Sequence, residues 1–205
     1  MRLSHSQKNT LAKSVHHYQQ SLALAAEYLT RRGITPEIAR AAHLGVVHDP
    51  LPGHEQFRGR LVIPYMTPSG PVDIRFRSMG PEEPKYMGMQ GASTRLYNVQ
   101  ALMQAGDRIA ICEGEIDTII MHYAIGFPAV GVPGANNWKP HYTRLLQDFE
   151  TVYVFADGDK AGSDFAKRLA KEVRGVVTLS MPEGEDVNST YLQFGKEYFT
   201  EKVVA

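Results

Sequence analysis

Cysteine is nearly missing: the 205 residues hold one thiol, Cys112. A lone cysteine forms no internal disulfide and no paired-cysteine zinc ribbon. It gives no sign of an oxidising compartment either, so the chain is read as cytoplasmic. Net charge is missing as well, because 22 Lys and Arg balance 22 Asp and Glu, which gives no support to a wholesale polyanion binder of the histone type. No stretch reaches the roughly 18 apolar residues of a membrane span. The opening run MRLSHSQKNTLAKSVHHYQQ lacks the apolar core of a leader peptide. No G-x-G-x-x-G follows a strand and no G-x-x-x-x-G-K-[ST] run occurs, so neither a dinucleotide-binding fingerprint nor a Walker-type ATPase is present; Gly131-Val132-Pro133-Gly134 has the wrong spacing. Ser/His and Cys/His nucleophile arrangements lack support, and Cys112, inside an apolar strand run, reads as a packed thiol.

What is present is a 43% hydrophobic chain, enough for one large domain or two small ones. Its neutral sum hides an asymmetry. Residues 1–100 carry 12 basic and 7 acidic side chains, whereas residues 101–205 carry 10 and 15. The first half suits phosphate and the second suits cations.

Residues 1–21 show no sustained apolar period and are expected to be a mobile arm. Ser21 to Arg32 has near-helical apolar spacing stopped by Gly33. Thr35-Pro36 is an N-cap with proline at the first helical position, so Glu37 to His43 is a second short helix. RLVIPY over 60–65 and VDIRFR over 72–77 read as a β-hairpin. Alternation puts Asp73, Arg75 and Arg77 on one face, opposite Val72, Ile74 and Phe76, so the two arginines are expected to project together.

After residue 106, β-rich runs alternate with helical ones: RIAIC, IDTIIMHYAI, PAVGV, YTRLLQDF, TVYVFA, SDFAKRLAKEV and VVTLS. That rhythm predicts an α/β fold, a Rossmann-like parallel sheet with helices on both faces, preceded by a smaller mixed α+β subdomain. The expected division is an arm over 1–21, a basic subdomain over 22–106, a parallel-sheet domain over 107–195 and a tail over 196–205.

In open parallel sheets, sites form beyond the carboxyl ends of the strands. Here those ends are acidic: Glu113-Gly114-Glu115-Ile116-Asp117 after the first, Asp157-Gly158-Asp159 after the third, and Glu183-Gly184-Glu185-Asp186 after the fourth. Carboxylates crowded on one rim repel and raise one another's pKa, and a divalent cation relieves this. Hard oxygen donors without a Cys or His cluster favour Mg2+ or Mn2+ over zinc. Asp157 and Asp159, with glycine between them, can turn toward one ion. Asp159 or Ser163 also suits the N-cap of the following helix, and Glu115 reads as a solvated first-turn carboxylate.

The runs IAICEGEIDTIIM, VGVPGANNW and VYVFADGDKAGSDFAKRLA together resemble a TOPRIM domain, with its Glu-Gly pair as Glu113-Gly114 and its Asp-x-Asp as Asp157-Gly158-Asp159. Upstream, FRGRLVIPYMTPSGPVDIRFRSM and PKYMGMQGASTRLYN are similar to the amino-terminal part of bacterial DNA primase catalytic cores, and CEGEID resembles the primase half of phage primase-helicases. The resemblance covers roughly residues 22 to 200. It implies a nucleotidyltransferase that makes short RNA primers on single-stranded DNA from ribonucleoside triphosphates, in a bacterial or phage-infected cell. Glu113 becomes the acid nearest the reacting atoms and a metal ligand, with Asp117 supporting it. Asp157, Asp159 and Asp186 become ligands of Mg2+ or Mn2+, and Asn188 stands where a second Asp is usual and offers a neutral oxygen. Arg58, Arg60, Arg75, Arg77, Lys85 and Arg95 become the template and nucleotide path, with Tyr86 a stacking surface. No zinc module or helicase domain occurs within these residues, so the resemblance implies a core with weak template choice, monomeric on its own, and a replicative helicase as a partner. The other readings are a non-catalytic template-binding subunit of such a helicase and a TOPRIM nuclease.

Overall fold

In the computed structural model, which describes residues 3–204, Ser4 opens a helix where the sequence shows no clear period. Ser4 and Gln7 form a reciprocal capping box for α1 (His5–Gln19). Leu11, Val15 and Tyr18, at i, i+4 and i+7, pack into an apolar cluster with Val47, Phe57, Val62, Ile74 and Phe76. The expected mobile arm is therefore a docked helix. Three apolar residues among Ser, Gln and His suffice because Tyr18 is also fixed by polar contacts: its hydroxyl accepts from Leu51 N at 3.1 Å and meets His54 Nδ1 at 2.7 Å.

By its contacts the chain separates into two units, residues 1–93 and 94–205. The first unit continues with α2 (Ala26–Arg31) and α3 (Pro36–Ala41), the latter capped by Thr35 as expected. Its sheet is antiparallel, in the order β1 (Gly45–Val46), β2 (Leu61–Thr67), β3 (Gly70–Arg77), β4 (Tyr86–Gly88). A β-carbon on Gly45 would lie 2.6 Å from the Tyr18 carbonyl, so glycine there lets α1 rest against β1. Phe57 and Phe76 stack at 3.8 Å beneath the hairpin.

The second unit begins before residue 106. Leu96 and Ala101, the latter starting α4 (Ala101–Gln104), lie in the second unit's core, and Tyr97 bridges to Gly131. There follow β5 (Arg108–Cys112), α5 (Glu115–Ile119) running into a π-helical turn over Ile120–Ile125, β6 (Ala129–Gly131) and α6 (Pro140–Thr143). The unit closes with β7 (Thr151–Ala156), α7 (Lys160–Glu172), β8 (Val176–Ser180), α8 (Val187–Phe194) and α9 (Glu197–Val204). The sheet is fully parallel, ordered β6-β5-β7-β8 and flanked by helices, as the alternating runs predict. Central β5 and β7 are sealed on both faces, whereas edge strand β8 is mostly open. The expected tail is helix α9: Phe199 is fully buried against Phe155, and Val203 O accepts from Arg108 and from the Tyr153 hydroxyl.

Candidate functional site: an acidic rim on the parallel sheet

Because β5, β7 and β8 run the same way, their carboxyl ends deliver Glu113, Asp157 with Asp159, and Asp186 to one edge. Hydrogen bonds from main-chain amides fix the loops. Glu113 Oε1 accepts from Asp157 N at 2.9 Å, tying the first acidic turn to the second. Gly158 N donates to Glu185 O at 2.8 Å and Gly184 N to Gly158 O at 2.9 Å, tying the second to the third. Glycine is required at the contacts. A β-carbon on Gly158 would fall 1.8 Å from Pro182 O, and one on Gly162 would fall 2.3 Å from Asp157 O and 2.8 Å from Glu113 Oε1.

Two acids also serve their own helices. Asp159 caps α7 through Gly162 N at 2.7 Å, and Asp186 caps α8 through Ser189 N at 2.7 Å. The Ser189 hydroxyl returns a contact to Asp186 N at 2.9 Å. Each of these aspartates thus spends Oδ1 locally and keeps Oδ2 to offer elsewhere. They line a cleft of about 280 Å3 with Asp157, Gly158, Gly184, Glu185 and Ser189. No basic side chain is among these lining residues.

Burial pushes the Glu113 carboxyl up, with the charges of Asp159 and Asp117 adding to the rise, while the Asp157 N–H opposes it. The Cys112 thiol, fully buried, is pushed well up by desolvation and then by Asp117, Asp157 and Glu113, so it is the inert packed thiol expected. The donor chemistry of the rim fits a hard divalent cation. Among the described residues, however, no three His, Cys, Asp or Glu side chains stand close enough together to hold one as placed.

Other expected site residues fall differently. Asp117 is buried under Gly114, and its Oδ1 accepts from Asn188 N at 3.0 Å. Asn188 is 1% exposed and supplies a main-chain link to α5, so it is absent from the cleft lining where a neutral ligand oxygen was expected. Glu115 is also 1% exposed, not the solvated carboxylate its position suggested. Ser189, which the sequence reading passes over, was visible as the Asp186-x-x-Ser189 spacing of a capping box.

In the first unit, Arg77 does not project. It is 5% exposed, its Nε donates to the Tyr28 hydroxyl at 2.6 Å and its Nη1 to the Tyr86 hydroxyl. Alternation places it on the expected face, but α2 and β4 cover that end of the strand with phenols. Arg75 and Arg77 both stand over the Tyr86 ring, at 4.7 and 4.8 Å, so that ring is already a seat for guanidinium groups. Arg58 and Lys85 are exposed, with Arg58 Nη1 on His48 O at 2.8 Å. Half-buried Arg60 donates to Pro84 O at 2.8 Å. Arg95 belongs to the second unit.

A Toprim-like family model matches residues 110–191, the stretch from β5 into α8. The Gene 57 protein of Mycobacterium phage D29 is 44% identical over 152 residues, which is 72% of this chain and 99% of that protein. The DNA primase of Haemophilus influenzae is 25% identical over 235 aligned positions, covering 91% of this chain and 40% of the primase. The chain thus spans about two fifths of the length of the curated primases it matches. The RNA polymerase domain of Mycobacterium tuberculosis primase, solved with a double-stranded DNA oligomer bearing a 6-nucleotide overhang, matches in fold with a TM-score of 0.80 at 21% identity, over 98% of this chain and 80% of that one. With a phage relative aligned along nearly its whole length, primases aligned along most of this chain and the acidic strand ends on one rim, the chain belongs to the family of TOPRIM-domain DNA primase catalytic cores.

Proposed function

We propose that the chain synthesises short RNA primers on single-stranded DNA from ribonucleoside triphosphates, by metal-assisted nucleotidyl transfer. The observation that carries this reading is the stitching of three acidic loops at one sheet edge, Glu113 to Asp157 and Gly158 to Glu185. Asp157, Asp159 and Asp186 would hold Mg2+ or Mn2+, which supplies charge neutralisation for the triphosphate and the attacking oxygen. Glu113, with its raised pKa, is suited to take the proton of the primer 3′-hydroxyl as that oxygen attacks the α-phosphorus. The α–β phosphoanhydride bond breaks and pyrophosphate leaves. Asp117 holds α8, and with it the Asp186 loop, in place through Asn188 N. Arg58, Arg60, Arg75 and Lys85 suit phosphate contacts that position a template without reading it, and the DNA in the Mycobacterium tuberculosis neighbour supports a nucleic-acid ligand.

A labelled-ribonucleotide assay on random single-stranded DNA with Mg2+ or Mn2+ tests this. Short RNA products are expected, and none from Asp157→Asn. A second reading, a non-catalytic template-binding subunit of a replication helicase, is favoured by the spread of the carboxylates as placed. It predicts template binding with no RNA product whether or not the helicase is added. Cleavage of the template would instead mark a nuclease.

A further inference from the structure

The strand order of the second unit sorts the rim by charge. Acid sits on the β5, β7 and β8 ends, while the β6 end carries cations and hydrogen-bond donors. Gly134 N donates to Glu113 O at 3.1 Å, so the loop leaving β6 abuts the first acidic turn directly. That loop ends in Trp138, which is 4% exposed and whose Nε1–H is buried without a hydrogen-bond partner. Next to it, Lys139 Nζ and the Tyr142 hydroxyl both donate to Thr94 O, at 2.6 and 3.0 Å. They hold the segment 94–98, itself bridged to Gly131 through Tyr97, along the β6 end. The following residue, Arg95, also has a buried Nε–H with no partner, and its charge is felt by Tyr142, whose ring meets Trp138 at 5.6 Å. Among the described residues no carboxylate lies within ion-pair distance of Arg95 or Lys139. The neighbouring Arg168, on Trp138 O at 3.4 Å, is engaged by Glu172 at 2.9 Å.

A buried donor without an acceptor is costly, and two of them, on Trp138 and Arg95, here accompany two cations without counter-ions, so that one anion would meet both needs. We infer that Arg95, Trp138 and Lys139 form a phosphate site on the β6 side of the rim, taking the phosphate of a nucleic-acid backbone or of a nucleoside triphosphate. A polyanion laid across the edge would then meet this donor site and the cation-requiring acidic rim side by side. The inference deepens the proposed function and rests on it only for the identity of the polymer.

Trp138 is the sole tryptophan, so its emission reports the site directly. The full chain is titrated in EDTA, which silences the acidic rim, with a labelled oligodeoxythymidylate followed by anisotropy and with inorganic tripolyphosphate. A saturable change in Trp138 emission is expected. A response to the oligonucleotide alone assigns a backbone phosphate, to tripolyphosphate alone a triphosphate, and mutual displacement assigns one site serving both. Arg95→Gln should weaken binding of the responding probe about tenfold and, for the oligonucleotide, flatten the log–log salt slope by about 0.7. Trp138→Phe removes the donor while keeping an aromatic ring in the core, and, read by calorimetry because the variant has no indole emission, should weaken binding of either probe roughly threefold or more, which covers the case of a poorly folded Arg95 variant. Unchanged emission with both probes, or wild-type affinity in Trp138→Phe and in a folded Arg95→Gln, overturns the site. Absence of RNA synthesis with an intact Trp138 response would sink the primase reading alone. RNA synthesis at wild-type substrate and template affinity in both variants would sink the phosphate site alone.

Discussion

Glu113 sets two requirements against each other. Its carboxylate must accept from Asp157 N, yet burial and the charges of Asp159 and Asp117 raise its pKa. A raised carboxyl pKa means that the fold favours the protonated form. Its stabilising contribution is complete below the ordinary carboxylate range and is lost as pH rises through the raised value. Glu113→Gln keeps an acceptor and removes the charge, so it should melt higher than wild type at neutral pH. The gap should close as pH falls below the ordinary glutamate value, where wild type is itself neutral. Melting curves across that range check the sign, and a gap that widens toward acid would contradict it. Asp159 shows the opposite balance. Crowding alone suggests that Asp159→Ala relieves repulsion, but the side chain caps α7, so the alanine variant should lose about 1 kcal/mol. Asp159→Asn keeps the cap, and both variants should be inactive in primer synthesis. Arg77→Ala should act on stability, costing about 2–4 kcal/mol, because it strands the Tyr28 and Tyr86 hydroxyls beside a buried void. Chemical denaturation measures that loss, and an unaltered midpoint would return Arg77 to the surface role that alternation suggests.

At the scale of elements, legibility followed how much of the burial signal each segment carries alone. β5 and β7 are apolar on both faces, so RIAIC and TVYVFA could be read directly, and with them the acidic turns that end them. Thr35-Pro36 announced α3 because a cap is a local event. α1 and α9 escaped notice because each is anchored by few residues, Val15 and Tyr18 in one and Phe199 and Val203 in the other, within polar sequence. Their partners lie far along the chain, which no local pattern encodes. The three-way stitching of the rim was hidden for the same reason: its donors, Gly158 N to Glu185 O, Asp157 N to Glu113 Oε1 and Asn188 N to Asp117 Oδ1, are main-chain amides, which any residue but proline supplies. Gly45 offers the element-level test. Gly45→Ala drives a methyl into the Tyr18 backbone, so α1 must lift from β1. Protease cleavage within residues 5–19 should become faster in that variant while the parallel sheet keeps its protection. Equal cleavage of both chains would mean that α1 is held elsewhere.

At the scale of the molecule, charge and chemistry divide along the same boundary. Residues 1–93 carry 11 basic and 7 acidic side chains and residues 94–205 carry 11 and 15, a balance of +4 against −4. A divalent cation therefore has its donors in the second unit, whereas most of the candidate template cations, Arg95 excepted, lie in the first. Hydrogen exchange on the intact chain separates the two responses. Millimolar Mg2+ should slow exchange in residues 157–162 and 184–189, whose amides hold the acidic loops together, and leave the hairpin over residues 61–77 unchanged. The effect should vanish in Asp157→Asn. A short single-stranded oligonucleotide in EDTA should instead protect segments of the first unit together with residues 94–98, and raising the salt should erase that protection while sparing the response to Mg2+, because backbone phosphate binding is driven by counter-ion release and ligation by close carboxylates is screened far less. Protection by Mg2+ spread evenly over both units would show that the cation acts on global stability and not at the rim.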